Sequence, residues 1–164
     1  MVRHHHNLFK EGTTVGLLGG FTVALWFLIL DMVKGRPLYT PSILGQVILF
    51  RSMSPEARPT VPSAVVAYTV LHFAVFIGLG LLITQLVYLA VNHPVFMFAG
   101  LMLFVVFEVF FLGFTYVFFA GSRGLFPWST ILVANTLAAA VMTLYIWKRN
   151  PGLKRALMRH TLGE

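Results

Sequence analysis

Glu108 stands inside an apolar run, Val95-Phe96-Met97-Phe98 through Phe118-Phe119-Ala120, in which a carboxylate has no water to solvate it. An ionisable side chain at bilayer depth faces a partner or a cavity and marks a candidate functional site. His72 is the best candidate partner, on a neighbouring apolar stretch, with Tyr68 one helical turn before it and Thr69 three residues before it. Asn135 falls near the middle of the last apolar stretch. Counted by helix rise from the ends of their stretches, His72, Glu108 and Asn135 reach a similar depth. Two kinds of chemistry fit such a set: a proton-linked or ligand-holding site, or a polar cluster that only joins helices. The His72–Glu108 pair itself has two admissible charge states, a neutral acid beside a neutral imidazole or an ion pair.

Metal and cofactor chemistry is poorly provided for. His72 has no second histidine at i+3 or i+4, and zinc or haem ordinarily takes more ligands than one His and one Glu. His4, His5 and His6 could bind a metal adventitiously, but three imidazoles near a terminus read as a basic segment. No cofactor is therefore expected. There is no Gly-rich phosphate loop, no Gly-x-Ser-x-Gly elbow and no His-Glu-x-x-His. The hydroxyl residues have no paired base, which disfavours an enzyme.

The elements that must position these residues are membrane spans. Four runs meet the requirement of about 20 apolar residues: Thr14 to Val33, Ser63 to Val91, Val95 to Ala120 and Phe126 to Trp147. A fifth run, Pro41 to Phe50, is too short, and Thr40-Pro41 predicts its helix start with Thr as cap and Pro first. It reads as a short interfacial or re-entrant helix in the first loop. Asn92-His93-Pro94 and Gly121-Ser122-Arg123-Gly124 predict tight turns between consecutive spans. The expected fold is an all-α transmembrane four-helix bundle, a single integral membrane domain over residues 1–164 with Trp128 and Trp147 as interface anchors.

Composition agrees with that solvent. Hydrophobic residues make up 58% of the chain and charged residues 10%, with a mean hydropathy of +0.84; a soluble domain carries about 25% charged residues. The net charge of +7 gathers beside apolar ends, so anionic lipid headgroups rather than nucleic acid are the expected partner. The first span exceeds a signal-peptide core of about 7–15 residues and Gly35-Arg36-Pro37 offers no cleavage site, so it reads as retained. Absence of cysteine removes disulfides and thiolate chemistry together. Arg3, Lys10, Lys148, Arg149, Lys154, Arg155 and Arg159 outnumber Lys34, Arg36, Arg51, Arg58 and Arg123, which favours cytoplasmic termini.

Gly12, Gly16, Gly20 and Ala24 recur every fourth residue and predict a groove for close helix approach, within the bundle or towards another copy. Asp31, Lys34 and Arg36 form an interfacial charge cluster in which Asp31 is expected to pair with Lys34 or Arg36, or to line a substrate mouth. In the basic tail, residues 148–164, Leu153 and Leu157 lie one turn apart among Lys154, Arg155 and Arg159, the pattern of a lipid-surface helix.

The stretch Gly19-Gly20, Ala24-Leu25-Trp26-Phe27, Asp31, Gly35-Arg36-Pro37 and Thr40-Pro41-Ser42-Ile43-Leu44-Gly45 resembles small four-helix membrane proteins of bacteria to which no activity is attached. That resemblance covers mainly the first quarter of the chain and implies a bacterial inner membrane. The functional expectation is a non-catalytic accessory or scaffold subunit packing through the glycine face, as a homo-oligomer or in a larger complex. A small proton-coupled transporter or channel using His72 and Glu108 is the second reading, and an intramembrane cofactor-binding protein the third.

Overall fold

The computed structural model describes residues 5–49, 51, 59–92, 95–118 and 127–149. They form five α-helices: α1 (His5–Val33), α2 (Tyr39–Ile48), α3 (Pro62–Asn92), α4 (Val95–Phe118) and α5 (Trp128–Arg149). Among the described residues there is no strand. Three helices are long and apolar enough to cross a membrane, over Leu8–Val33, Pro62–Ala90 and Trp128–Arg149, and α4 carries a shorter apolar stretch, Phe98–Gly113. The expected first span is too short at its start. The helix begins nine residues before Thr14, because Lys10 and Glu11 continue it as polar helix formers. The turns expected at 93–94 and 121–124, His4, and tail residues Lys154, Arg155 and Arg159 lie outside the described residues.

α1 is the central helix, and small residues let it be so. A Cβ built on Gly16 would lie 2.6 Å from the Cα of Ile77 and still closer to the carbonyl oxygen of Phe76; one on Gly12 would lie 2.8 Å from the Cα of Leu81. Gly80 returns the contact from α3, where an added Cβ would meet the backbone of Gly12 and Gly16. The glycine groove is thus filled by α3 of the same chain. Since Gly12 meets Leu81, Gly16 meets Phe76–Ile77 and Gly20 meets Phe73, the two helices run antiparallel.

On another side of α1 lies α5. Val15 packs with Met142 and Ile146, whereas Val23 packs with Ala134 and Ala138, so this pair is antiparallel too. It follows that α3 and α5 run parallel to each other, and that the start of α1 and the end of α5 share one end of the bundle. α4 is the peripheral member, packed mainly on α3.

α1 ends in a Schellman motif: Gly35 is left-handed (φ 67°), Gly35 N donates to Met32 O and Arg36 N to Asp31 O, both at 2.9 Å. α2 then starts two residues earlier than the sequence predicts, and Thr40 is not its cap. Leu38, in the left-handed region, precedes the helix without a side-chain cap bond. Asp31 supplies the cap from α1, accepting from Thr40 N at 2.7 Å and Thr40 Oγ1 at 2.8 Å. Residues Ser42 through Val47 are all buried, so α2 has no exposed face along this stretch. Gly45 lies against the backbone of Ala64, which brings α2 tight against the start of α3.

Candidate functional site

Helical spacing puts Tyr68, His72 and Phe76 on one face of α3. His72 stacks among aromatic rings, with centroids 5.8 Å from Tyr68, 5.5 Å from Phe73 and 4.7 Å from Phe76. Its Nε2 lies 3.1 Å from the carbonyl oxygen of Gly20. A carbonyl can only accept, so Nε2 carries the proton, and in the uncharged ring Nδ1 is left as an acceptor.

Three cavities meet at Tyr68 and His72. The innermost, about 40 Å³, is lined from every helix: Val23 and Phe27 of α1, Leu44 of α2, the α3 face, Phe107 and Phe111 of α4, Ile131 and Asn135 of α5. A larger cavity of about 280 Å³ lies between α1, the start of α2 and α3, with Ala24, Phe27 and Leu28 on one wall and Thr69, His72 and Phe73 on the other. Exposed Phe21 and Leu25 form its rim. The third, about 180 Å³, lies towards α4 between Leu71, Val75 and Phe110.

Of the residues singled out by sequence, Tyr68, His72 and Asn135 therefore converge on one chamber. Asn135 Nδ2 is buried there without a hydrogen-bond partner among the described residues. Thr69 and Ala24 line the larger cavity instead, and the Thr69 hydroxyl is turned back on its own helix, donating to Val65 O at 2.7 Å. Glu108 is buried (8% exposed). No hydrogen bond or ion pair joins it to His72, whose ring is held by Gly20; Glu108 Oε1 is left without a partner among the described residues. It lines none of the three cavities.

The interfacial charges also pair otherwise than expected. Asp31, 3% exposed, gives its carboxylate to Thr40 rather than to Lys34 or Arg36. Lys34 is exposed, and the Arg36 guanidinium lies 5.3 Å from the centre of the Tyr39 ring. Asp31 and Thr40 close one end of the larger cavity.

Two polar contacts escaped the sequence reading. Tyr88 Oη donates to Glu11 Oε2 at 2.6 Å, tying α1 to α3 across 77 positions. In α2, Ser42 Oγ accepts from Val61 N at 2.9 Å and from Gln46 Nε2 at 3.1 Å. Polar residues buried on an otherwise apolar short helix were the available signal for the second; for the first there was only Glu11 at the margin of the apolar run. Among the described residues no three His, Asp or Glu side chains form a metal-ligating group. The chamber offers hydrogen-bond donors and acceptors in an apolar shell. Comparison of the chain with protein-family models, curated proteins and solved structures finds no match.

Proposed function

We propose that this chain is a non-catalytic integral membrane protein of four spans, serving a membrane assembly as an accessory or scaffold subunit, with the Tyr68–His72–Asn135 chamber as its binding centre. The chamber carries the reading. All five helices converge on it, and its polar side chains form no nucleophile–base pair with one another, an arrangement suited to holding a molecule rather than transforming it.

The packing directions support a count of four spans. Because α3 and α5 run parallel, the chain between them has to return across the bundle, and α4, with 24 residues, is long enough to do so. We read α2 as re-entrant, since Leu44 reaches the chamber. Lys10, Lys148 and Arg149 at the end shared by the described helix termini favour a cytoplasmic position for that end, in a bacterial inner membrane and against anionic headgroups. With the glycine groove filled by α3, contacts to a second copy or a larger complex fall to the outer faces of α4 and α5, where Met102, Val106, Val109, Leu132 and Leu137 are exposed.

A second reading, proton-coupled transport, is favoured by one observation: Glu108 is a buried carboxyl group with an unpartnered oxygen. Native-membrane extraction into polymer-bounded discs distinguishes the two. The accessory reading expects a particle heavier than one chain and proteoliposomes without pH-driven flux. A lone chain with flux that Glu108→Gln abolishes would replace it with transport.

A further inference from the structure

The chamber's polar atoms have complementary needs that no described residue meets. Asn135 Nδ2 is a buried donor without an acceptor. The half-buried His72 keeps Nδ1 as an acceptor facing the cavities it lines, since the ring's hydrogen bond to a described residue is made through Nε2 to Gly20. A buried donor left unsatisfied, as Asn135 Nδ2 is, is costly to the fold, and a protein carries such groups where something else completes them. Donating to an imidazole nitrogen while accepting from an amide requires a group that does both. A hydroxyl does; a ketone or ester carbonyl only accepts, and an ammonium only donates.

Water would meet the same needs in the 40 Å³ chamber, but it has no reason to fill what adjoins it. The 280 Å³ cavity shares Val23, Phe27, Tyr68 and His72 with the chamber and is walled mainly by Phe, Leu, Ala and Val. Apolar cavities stay dry and accept apolar guests. This one approaches the roughly 300 Å³ at which small-molecule sites begin. Its rim at Phe21 and Leu25 lies on the exposed flank of α1, the surface that hydrocarbon covers in a bilayer. The one charged group at its edge, Asp31, is already engaged by Thr40, so nothing there calls for a cationic or anionic head.

We infer that the chamber and its adjoining cavity form one site for an uncharged long-chain alcohol, with its hydroxyl between His72 and Asn135 and its hydrocarbon chain lying between α1 and α3 towards the lipid. The inference rests on the chamber being a binding centre, as proposed above, and adds the ligand class. Glycerolipid alcohols such as diacylglycerol and isoprenoid alcohols share the required chemistry.

A long-chain alcohol carrying a diazirine in its chain, photolysed with the full-length protein in lipid nanodiscs, tests the site. Labelling should saturate, map to α1 and α3 around Phe21 to Leu28 and Thr69 to Phe73, and be displaced by the unlabelled alcohol but not by the alkane or methyl ester of equal length. Displacement by diacylglycerol or by a polyprenol then identifies the source. Asn135→Leu should weaken the apparent affinity at least about tenfold, the loss of one buried hydrogen bond of about 1.4 kcal/mol, and Ala24→Phe should block the chain's path. Non-saturating labelling, or equal displacement by alkane or ester, overturns the inference on the wild-type protein alone, whatever the variants do. Such a result leaves the native particle mass, and with it the accessory reading, untouched; a lone chain with flux overturns that reading independently of the labelling.

Discussion

Substituting Gly16 by alanine adds one methyl group at the tightest point of the α1–α3 crossing. Its Cβ would sit 2.6 Å from Ile77 Cα and 2.8 Å from the Phe76 carbonyl carbon, whereas carbon atoms rest at about 3.5–4.0 Å. The helices must therefore part by roughly 1 Å, because both obstructing groups are backbone and cannot rotate away; a gap of that size forfeits a quarter to a half of each dispersion contact along the seam. Overpacking of this kind costs about 1–3 kcal/mol, and rigid backbone puts it near the top of the range. Better helix propensity returns about 1 kcal/mol, leaving a net loss of about 2 kcal/mol. Gly78, on the same helix as Ile77, is exposed with nothing within 4 Å of an added Cβ. Gly78→Ala should gain the propensity term alone. The two variants should thus differ by about 3 kcal/mol, more than a hundredfold in the unfolding equilibrium. Reversible unfolding in bicelles, monitored by steric trapping or far-ultraviolet dichroism at matched lipid composition, measures that gap. If Gly16→Ala proves as stable as Gly78→Ala, the close crossing is not where the structure places it.

Asp31→Ala should release the start of α2, losing two hydrogen bonds to a carboxylate at a cost of about 2–3 kcal/mol, and hydrogen exchange should accelerate at the Thr40 to Gly45 amides; unchanged protection would remove Asp31 as the cap. Tyr88→Phe should destabilise the protein by about 1.5 kcal/mol through loss of its bond to Glu11, and Glu11→Ala combined with it should cost less than the sum, so additivity within about 0.5 kcal/mol argues against the contact. Because the chain has no native cysteine, single cysteines at exposed Ser63, Ser129 and Lys148 report topology to an impermeant maleimide. Labelling of the first two and protection of the third in intact cells is expected; the converse pattern reverses the orientation.

Hydropathy located the four long helices, because a bilayer demands long apolar runs and little else reads so clearly in composition, while the short α2 was legible from its brief apolar run together with Thr40-Pro41. The glycine face was legible from its four-residue spacing, but its occupant was not: Gly80 on α3 carries no spacing signal tying it to Gly12 and Gly16, and only the crossing brings them together. Similarly, the depth of His72 could be counted while its partner could not, since a backbone carbonyl has no residue identity to search for. The Thr40 cap was misassigned for the same kind of reason. Local pattern credits the nearest hydroxyl, and the actual cap, Asp31, lies nine positions earlier on another helix, aimed there by the Schellman turn. Glu108 was recognisable as an anomaly by its surroundings, but whether an imidazole stood beside it depended on the rotation of α4 about its own axis, which a uniformly apolar helix leaves unspecified.

The central place of α1 has a consequence in time. It precedes in the chain both helices that flank it, and these arrive at very different moments. α3 can close on the groove at Gly12 and Gly16 soon after it enters the bilayer, while the flank bearing Val15 and Val23 waits for α5, which follows only after α4. During that interval lipid must stand in for α5 along α1. The late-arriving face is accordingly one of small and pliable contacts, Ala134 and Ala138 against Val23 and Met142 against Gly19, which can displace lipid without first fitting a fixed set of knobs. A chain ended before Pro127 should therefore keep α1 protected from hydrogen exchange along the α3 side while losing protection around Val15 to Val23.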